Sequence, residues 1–224
     1  MLHHFLGNIP TGPVLDEAIS WKDYTLLDLS TTNRELDGLD LGDPEECQGY
    51  IDSVLSRNSA RVAFGGYLEC RNLYRGHSGF NPTEESRDVH LGVDFWTKAG
   101  TRVLAPLDGE VHSFRNNAIP GDYGPTIILA HRIGESTFYS LYGHLSLESL
   151  EGLRIGKRVR KGEVIGALGT PDINVNYAPH LHLQLICDLQ GQKGDYPGVC
   201  KASEVDYYKR NCPDPGLLFP MLPG

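Results

Sequence analysis

The apolar positions change their period near residue 85. Upstream, Cys47, Tyr50, Ile51, Val54 and Leu55 recur at i, i+3, i+4, i+7 and i+8, the spacing of one buried helix stripe. Asp43-Pro44-Glu45-Glu46 just before it supplies an N-cap, a proline at the first helical position and acidic residues in the first turn. Thr25 to Ser30 (TLLDLS) reads as a strand, and Arg61 to Leu68 (RVAFGGYL) as another, broken by Gly65-Gly66. Downstream, short β-branched and aromatic runs alternate with glycine-containing turns: VHLGVDF, TRVLAPLDGEVHSF, PTIILAHRI, STFYSLYGHLS, KGEVIGAL and PHLHLQLI. Such spacing predicts a sheet, sandwich or barrel. The expected fold class is therefore mainly β. Residues 86–224 form an antiparallel sandwich or open barrel with a groove, and residues 1–85 a smaller α+β segment of unassigned role. Gly76 to Arg87, polar and rich in turn formers, joins the two.

Composition narrows the partners. The chain has 224 residues, 40% of them hydrophobic, which suffices for one large or two small domains with a real core. Its formal charge of -9, without any cluster of Lys and Arg, excludes a nucleic-acid partner, which needs dense cationic side chains to displace counterions. Met1 to Pro13 lacks a basic start followed by an apolar run, so it does not read as a secretory signal. No stretch approaches the roughly 20 apolar residues of a membrane span. The expected location is cytoplasmic, or periplasmic or cell-wall if the chain is processed from a longer precursor. The five cysteines, at 47, 70, 187, 200 and 212, show no CxxC spacing and read as free or buried thiols. Cys200 and Cys212 would pair only in an oxidising compartment.

The chemistry concentrates in the second half. His90 and Asp94 stand in H-L-G-V-D, His144 in Y-G-H-L-S, and His180 and His182 in H-L-H. Imidazole nitrogen and carboxylate oxygen suit zinc, and a catalytic site needs three protein ligands with a fourth position open. In a strand, residues i and i+2 share a face, so His180 and His182 project together. Four residues of ideal strand would set Asp94 about 13 Å from His90; Gly92 between them permits a bend that brings both inward. Phe138, Ser140, Tyr142 and His144 share a face in STFYSLYGHLS, which lets His144 join from a neighbouring strand. Any one of these elements alone is more often an ordinary half-exposed strand. His112 and His131 have no partner at ligand spacing, and His3, His4 and His77 fall in segments without pattern.

The three elements together, in this order, resemble the lysostaphin-type or LytM-like zinc metallopeptidase family, whose pattern is HxxxD, then Y-x-H-L-S, then HxH. GVDFWTKAGTRVLAPLDGEV and GKRVRKGEVIGALG extend the resemblance, which covers about residues 86–187, the expected core of the catalytic domain. It implies that His90, Asp94 and His182 hold zinc, and that His144 and His180 are the catalytic pair, one as general base and the other stabilising the oxyanion, in either assignment. The implied activity is hydrolysis of peptide bonds by a metalloendopeptidase, with a peptide or a bacterial peptidoglycan stem as substrate and glycine or another small residue flanking the bond. Two departures stand out. The family often places a tyrosine shortly before the first histidine, and Asn81 to Val89 has none; Tyr74 and Tyr142 are the candidates to replace it. Wall-cutting relatives are exported, and no export signal is read here.

Three other readings compete. A catalytically inactive regulatory module would tend to lose ligands, which this chain keeps. A biotinyl-type carrier echoes APLDGEV and GKRVRKGEVIGALG but needs a lysine between methionines, and the methionines are Met1 and Met221 alone. A histidine phosphocarrier echoes H-L-G-V-D but has no use for Asp94 or a third histidine. The oligomeric state is not legible.

Overall fold

The Asp43 carboxylate accepts from the backbone N–H groups of Glu45 and Glu46, and helix α1 follows over Pro44–Arg57. The computed structural model of the chain describes residues 9–71 and 86–222. The junction expected over Gly76 to Arg87 lies almost wholly outside the described residues, as do His3, His4, Tyr74 and His77. Helix α1 buries Cys47, Ile51 and Val54, the stripe set by its sequence period, while Tyr50 and Leu55 are partly covered. It links strands β1 (Tyr24–Leu26) and β2 (Val62–Gly65), which run parallel and so need such a crossover. Strand β1 is shorter than the TLLDLS run because Asp28 turns the chain, its Oδ1 accepting from Ser30 N–H at 2.8 Å.

VHLGVDF, read as one run, is two strands in two sheets: β3 (Arg87–His90) and β4 (Val93–Trp96). The chain continues through β5 (Arg102–Leu104), β6 (Gly109–Asn117), β7 (Gly124–Ile133) and β8 (Ser136–Gly143). Then come β9 (Arg158–Val159), β10 (Val164–Ala167), β11 (His180–Ile186), β12 (Val199–Lys201) and a short helix, α2 (Val205–Asn211). The main sheet has eight strands in the order β1-β2-β4-β11-β8-β7-β6-β9, with β10-β5 and β12-β3 as two-stranded companions. The protein is mainly β, as its pattern indicates. Every strand pair within residues 86–222 is antiparallel, as expected; the main sheet becomes mixed only through β1 and β2, which α1 joins in parallel.

Period-2 alternation sorts the faces. Leu181, Leu183 and Leu185 of β11, Val93 and Phe95 of β4, Phe138 and Tyr142 of β8, and Ile127 and Leu129 of β7 build the principal core on one face. Segments from both ends of the described chain close it, among them Val14, Leu15, Leu218 and Phe219. Each fully covered leucine is worth about 1.5–3 kcal/mol relative to exposure, so β11 is firmly anchored. The opposite face carries two separate apolar clusters. One lies under α1 and includes Ala63, Trp96 and Ala178; the other includes Tyr123, Ile186, Tyr196 and Cys212. Between them β11 presents His180, His182 and Gln184. All five cysteines are free.

Candidate metal centre

Two strand registers assemble the site. His182 stands opposite Asp94 across β11 and β4, and opposite Gly143 across β11 and β8. His90 arrives from the other sheet, at the end of β3. The chain changes sheets at Leu91-Gly92, which closes the distance that an ideal strand would have left. Gly92 serves a steric purpose beyond bending: a Cβ there would lie 2.6 Å from His182 Cε1 and 2.6 Å from the Leu183 carbonyl oxygen. The His182 ring packs directly on that backbone.

The donor atoms converge. His90 Nε2 is 2.9 Å from His182 Nδ1. Asp94 Oδ1 lies 3.3 Å from the first and 3.1 Å from the second. All three side chains are buried, at 1–2% exposure. Hydrogen bonds on the outer edges decide the tautomers. His90 Nδ1–H donates to the Gly66 carbonyl at 2.9 Å, which leaves Nε2 as a lone pair. His182 Nε2–H donates to Gln184 Oε1 at 3.0 Å, which leaves Nδ1 as a lone pair. Gln184 cannot be turned end for end, since its Nε2 donates to the Pro197 carbonyl at 3.1 Å. Two imidazole lone pairs and a carboxylate oxygen thus meet with no proton between them. A cation satisfies that arrangement, and the donor set fits zinc.

The remaining carboxylate oxygen of Asp94 has its own partner. Oδ2 accepts from Arg71 at 2.5 Å, and Arg71 Nε donates to Glu69 at 2.5 Å, with Arg71 1% exposed. Gly66 leaves room for this guanidinium: its φ of +103 is left-handed, and a Cβ would collide with Arg71. Burial by itself raises the Asp94 carboxyl, but the adjoining His90 and the buried Arg71 guanidinium outweigh it and hold the group well below the carboxylate range. Burial lowers His90 to about 4, so this imidazole is neutral and ready to ligate.

Two further histidines stand beside the cluster. His180 lies face to face with Trp96, ring centroids 3.9 Å apart, and its Nδ1–H donates to the Ala178 carbonyl at 2.7 Å. Its Nε2 is therefore an unprotonated base, and burial lowers the group to about 4. His144 lies 4.1 Å from His180, centroid to centroid. It does not reach the site by sharing a face with Phe138, Ser140 and Tyr142, as strand alternation suggested, because those three turn into the opposite side of the sheet. His144 follows the end of β8 with a φ of +61, and that left-handed residue reverses the side-chain direction. Its Nδ1 is buried without a hydrogen-bond partner among the described residues. Burial, first, and the neighbouring histidines hold this imidazole well below its ordinary value.

The five residues floor a cleft of about 370 Å³, walled by the β6–β7 loop at Ile119–Tyr123, by Tyr177, and by residues 195–199. Tyr142 cannot serve there; it is fully buried in the core and its hydroxyl pairs with Ser140 at 3.0 Å. Tyr123, Tyr177 and Tyr196 line the cleft, and the Tyr123 hydroxyl is 3.5 Å from His182 Nε2. Sequence reading missed Tyr123 along with Arg71 and Gln184. Gln184 had a signal, the same period of two that relates His180 to His182. His131 is a bonded core residue, 2% exposed, held by the Asp108 carbonyl at 2.8 Å and Ser140 at 2.6 Å. His112 pairs with Ser113.

Three protein donors on a cleft floor, with two further imidazoles alongside, form a cluster that could hold a metal ion, the arrangement of a metal-dependent hydrolase. Comparison with known proteins points to a family: residues 88–195 match peptidase family M23. A protein named uncharacterized metalloprotease from Haemophilus influenzae is 38% identical over 115 residues, 49% of this chain and 22% of that protein. The DD-carboxypeptidase/endopeptidase Mpg of Neisseria meningitidis serogroup B is 36% identical over 112 residues, 50% of this chain and 22% of that protein. The chain thus spans about a fifth of the length of these curated relatives. Among solved structures, the catalytic domain of the antimicrobial peptidase lysostaphin from Staphylococcus simulans aligns with a TM-score of 0.39 at 24% identity, over 58% of this chain and 87% of that one. No helix among the described residues is long and apolar enough to cross a membrane.

Proposed function

We propose that this chain is a zinc-dependent endopeptidase that hydrolyses peptide bonds, with peptidoglycan cross-links or other glycine-containing peptides as substrates. The observation that carries the reading is the proton-free meeting of His90 Nε2, Asp94 Oδ1 and His182 Nδ1. Relatives named metalloprotease and DD-carboxypeptidase/endopeptidase support the same reaction class. The catalytic unit is residues 86–224, and residues 1–85 buttress it through β1, β2 and α1.

Zinc held by these three residues would supply an acidified water and polarise the scissile carbonyl. The chain's own residues divide the proton work. His180, with Nδ1–H committed to Ala178, offers Nε2 to take a proton from the attacking water and later return it to the leaving amine. His144, beside His180 in the cleft, stabilises the oxygen on which negative charge develops. Burial keeps both imidazoles neutral before attack.

The test is metal analysis of the purified chain, followed by hydrolysis of glycine-rich and wall-derived peptides with and without a chelator. Stoichiometric zinc and chelator-sensitive cleavage are expected. A metal-loaded protein that cleaves none of these peptides would overturn the assignment.

A further inference from the structure

Gln184 is completely buried in the middle of β11, on the face that carries His180 and His182. The next residue of that face is Ile186, and an apolar side chain would be the ordinary occupant. Instead the amide is used at both ends. Oε1 accepts from His182 Nε2–H at 3.0 Å and from the Tyr123 hydroxyl at 3.3 Å. Nε2 donates to the Pro197 carbonyl at 3.1 Å and to Cys212 Sγ at 3.3 Å. Tyr123 is itself slotted tightly: a Cβ on Gly198 would lie 2.1 Å from its hydroxyl, and one on Gly143 2.7 Å from its ring.

The alternative tautomer of His182 shows what this arrangement prevents. With the proton on Nδ1, the imidazole would find a ready acceptor in Asp94 Oδ1, 3.1 Å away. That closed pair would leave His182 Nδ1 without a lone pair and occupy the carboxylate oxygen at the centre of the donor set. A neutral imidazole places its proton where the better acceptor lies. Something on the outer edge must therefore compete with a buried carboxylate. We propose that Gln184, seated by Tyr123, Pro197 and Cys212, is the positioning residue that holds the His182 proton on Nε2 and so keeps Nδ1 open for the metal. The proposal rests on the metal reading above. Glutamine, rather than glutamate, fits because a second oxygen in place of Nε2 would face the Pro197 carbonyl.

Gln184→Met keeps the volume and removes the acceptor; Gln184→Glu restores an acceptor toward His182 while losing the donor toward Pro197. Zinc affinity is measured by chelator competition, and the imidazole tautomers of the metal-free proteins by long-range proton–nitrogen correlation on nitrogen-15-labelled samples. In wild type, His182 should carry its proton on Nε2. Gln184→Met should move it to Nδ1 and weaken zinc binding by roughly 10- to 100-fold, whereas Gln184→Glu should recover most of the affinity, which a packing role alone would not produce. Wild-type His182 protonated on Nδ1, or equal zinc affinity in Gln184→Met, overturns the proposal. If Gln184→Met does not fold, the wild-type tautomer and the Gln184→Glu affinity still decide. A wild-type protein that binds no zinc would instead overturn the metal reading, since the tautomer is measured without metal.

Discussion

Arg71→Met is the most informative single substitution, because it separates folding from metal binding. Arg71 is 1% exposed and bridges Asp94 and Glu69, with 2.5 Å contacts to each. Methionine fills most of the volume but leaves Asp94 buried without its permanent cation. Removing one partner of a buried ion pair costs about 3–5 kcal/mol. In a chain of this size each kcal/mol shifts Tm by about 2–4 °C, so the metal-free variant should melt roughly 6–20 °C below wild type. A divalent ion on Oδ1 would offset much of the exposed charge, so saturating zinc should narrow the gap. Calorimetry at pH 8, where Asp94 cannot relieve the strain cheaply by taking a proton, with chelator and with zinc, gives both numbers. A metal-free variant within about 1 kcal/mol of wild type, or a gap that zinc leaves unchanged, would refute the electrostatic account of Asp94.

Other substitutions address the remaining parts of the site. His182→Ala should lose stoichiometric zinc, whereas His180→Ala should retain it and lose turnover by about 10²–10⁴-fold, measured by metal analysis and peptide cleavage; zinc loss in His180→Ala would make that residue a ligand. Gly92→Ala places a methyl 2.6 Å from the His182 ring and the Leu183 carbonyl, and should cost about 1–3 kcal/mol in urea unfolding together with zinc affinity; an unchanged affinity would show that the ring moves freely. Burial pushes the His131 imidazole below its ordinary 6.5. The unfolded chain therefore binds more protons than the folded one below pH 6.5, and stability present above that pH is lost as pH falls toward the folded value. His131→Gln should flatten this decline by at most about 1.4 kcal/mol per pH unit, read from urea midpoints between pH 8 and pH 5; an identical slope in the variant would mean that His131 does not contribute.

Much of the local design was legible in the chain. The Asp43 cap and the helix stripe behind it depend on contacts within four residues, and the structure carries both. Alternation in PHLHLQLI put His180 and His182 on one face for the same reason, since side-chain direction in a strand is a property of the backbone alone. The order of the histidine and aspartate elements pointed to the family before any contact was known. Where alternation was extended past a strand end it failed. His144 sits at a φ of +61, and the sequence Y-G-H-L carries no mark of that reversal.

What only the tertiary structure decided is which distant groups meet, because pairing between strands is set by the whole core. The break at Leu91-Gly92 sends β3 and β4 into different sheets, and this, more than a bend, brings His90 to Asp94. Arg71 reaches Asp94 across 23 residues and has no local signature. Tyr123 and Gln184 meet across 61 residues, with Pro197 and Cys212 closing the amide from two further segments. Residue types and local spacing determined which groups could ligate a metal. The tautomers that leave two histidines with lone pairs beside Asp94 and a third with an unprotonated Nε2 depend on the carbonyls and the amide that the folded chain sets against their outer edges.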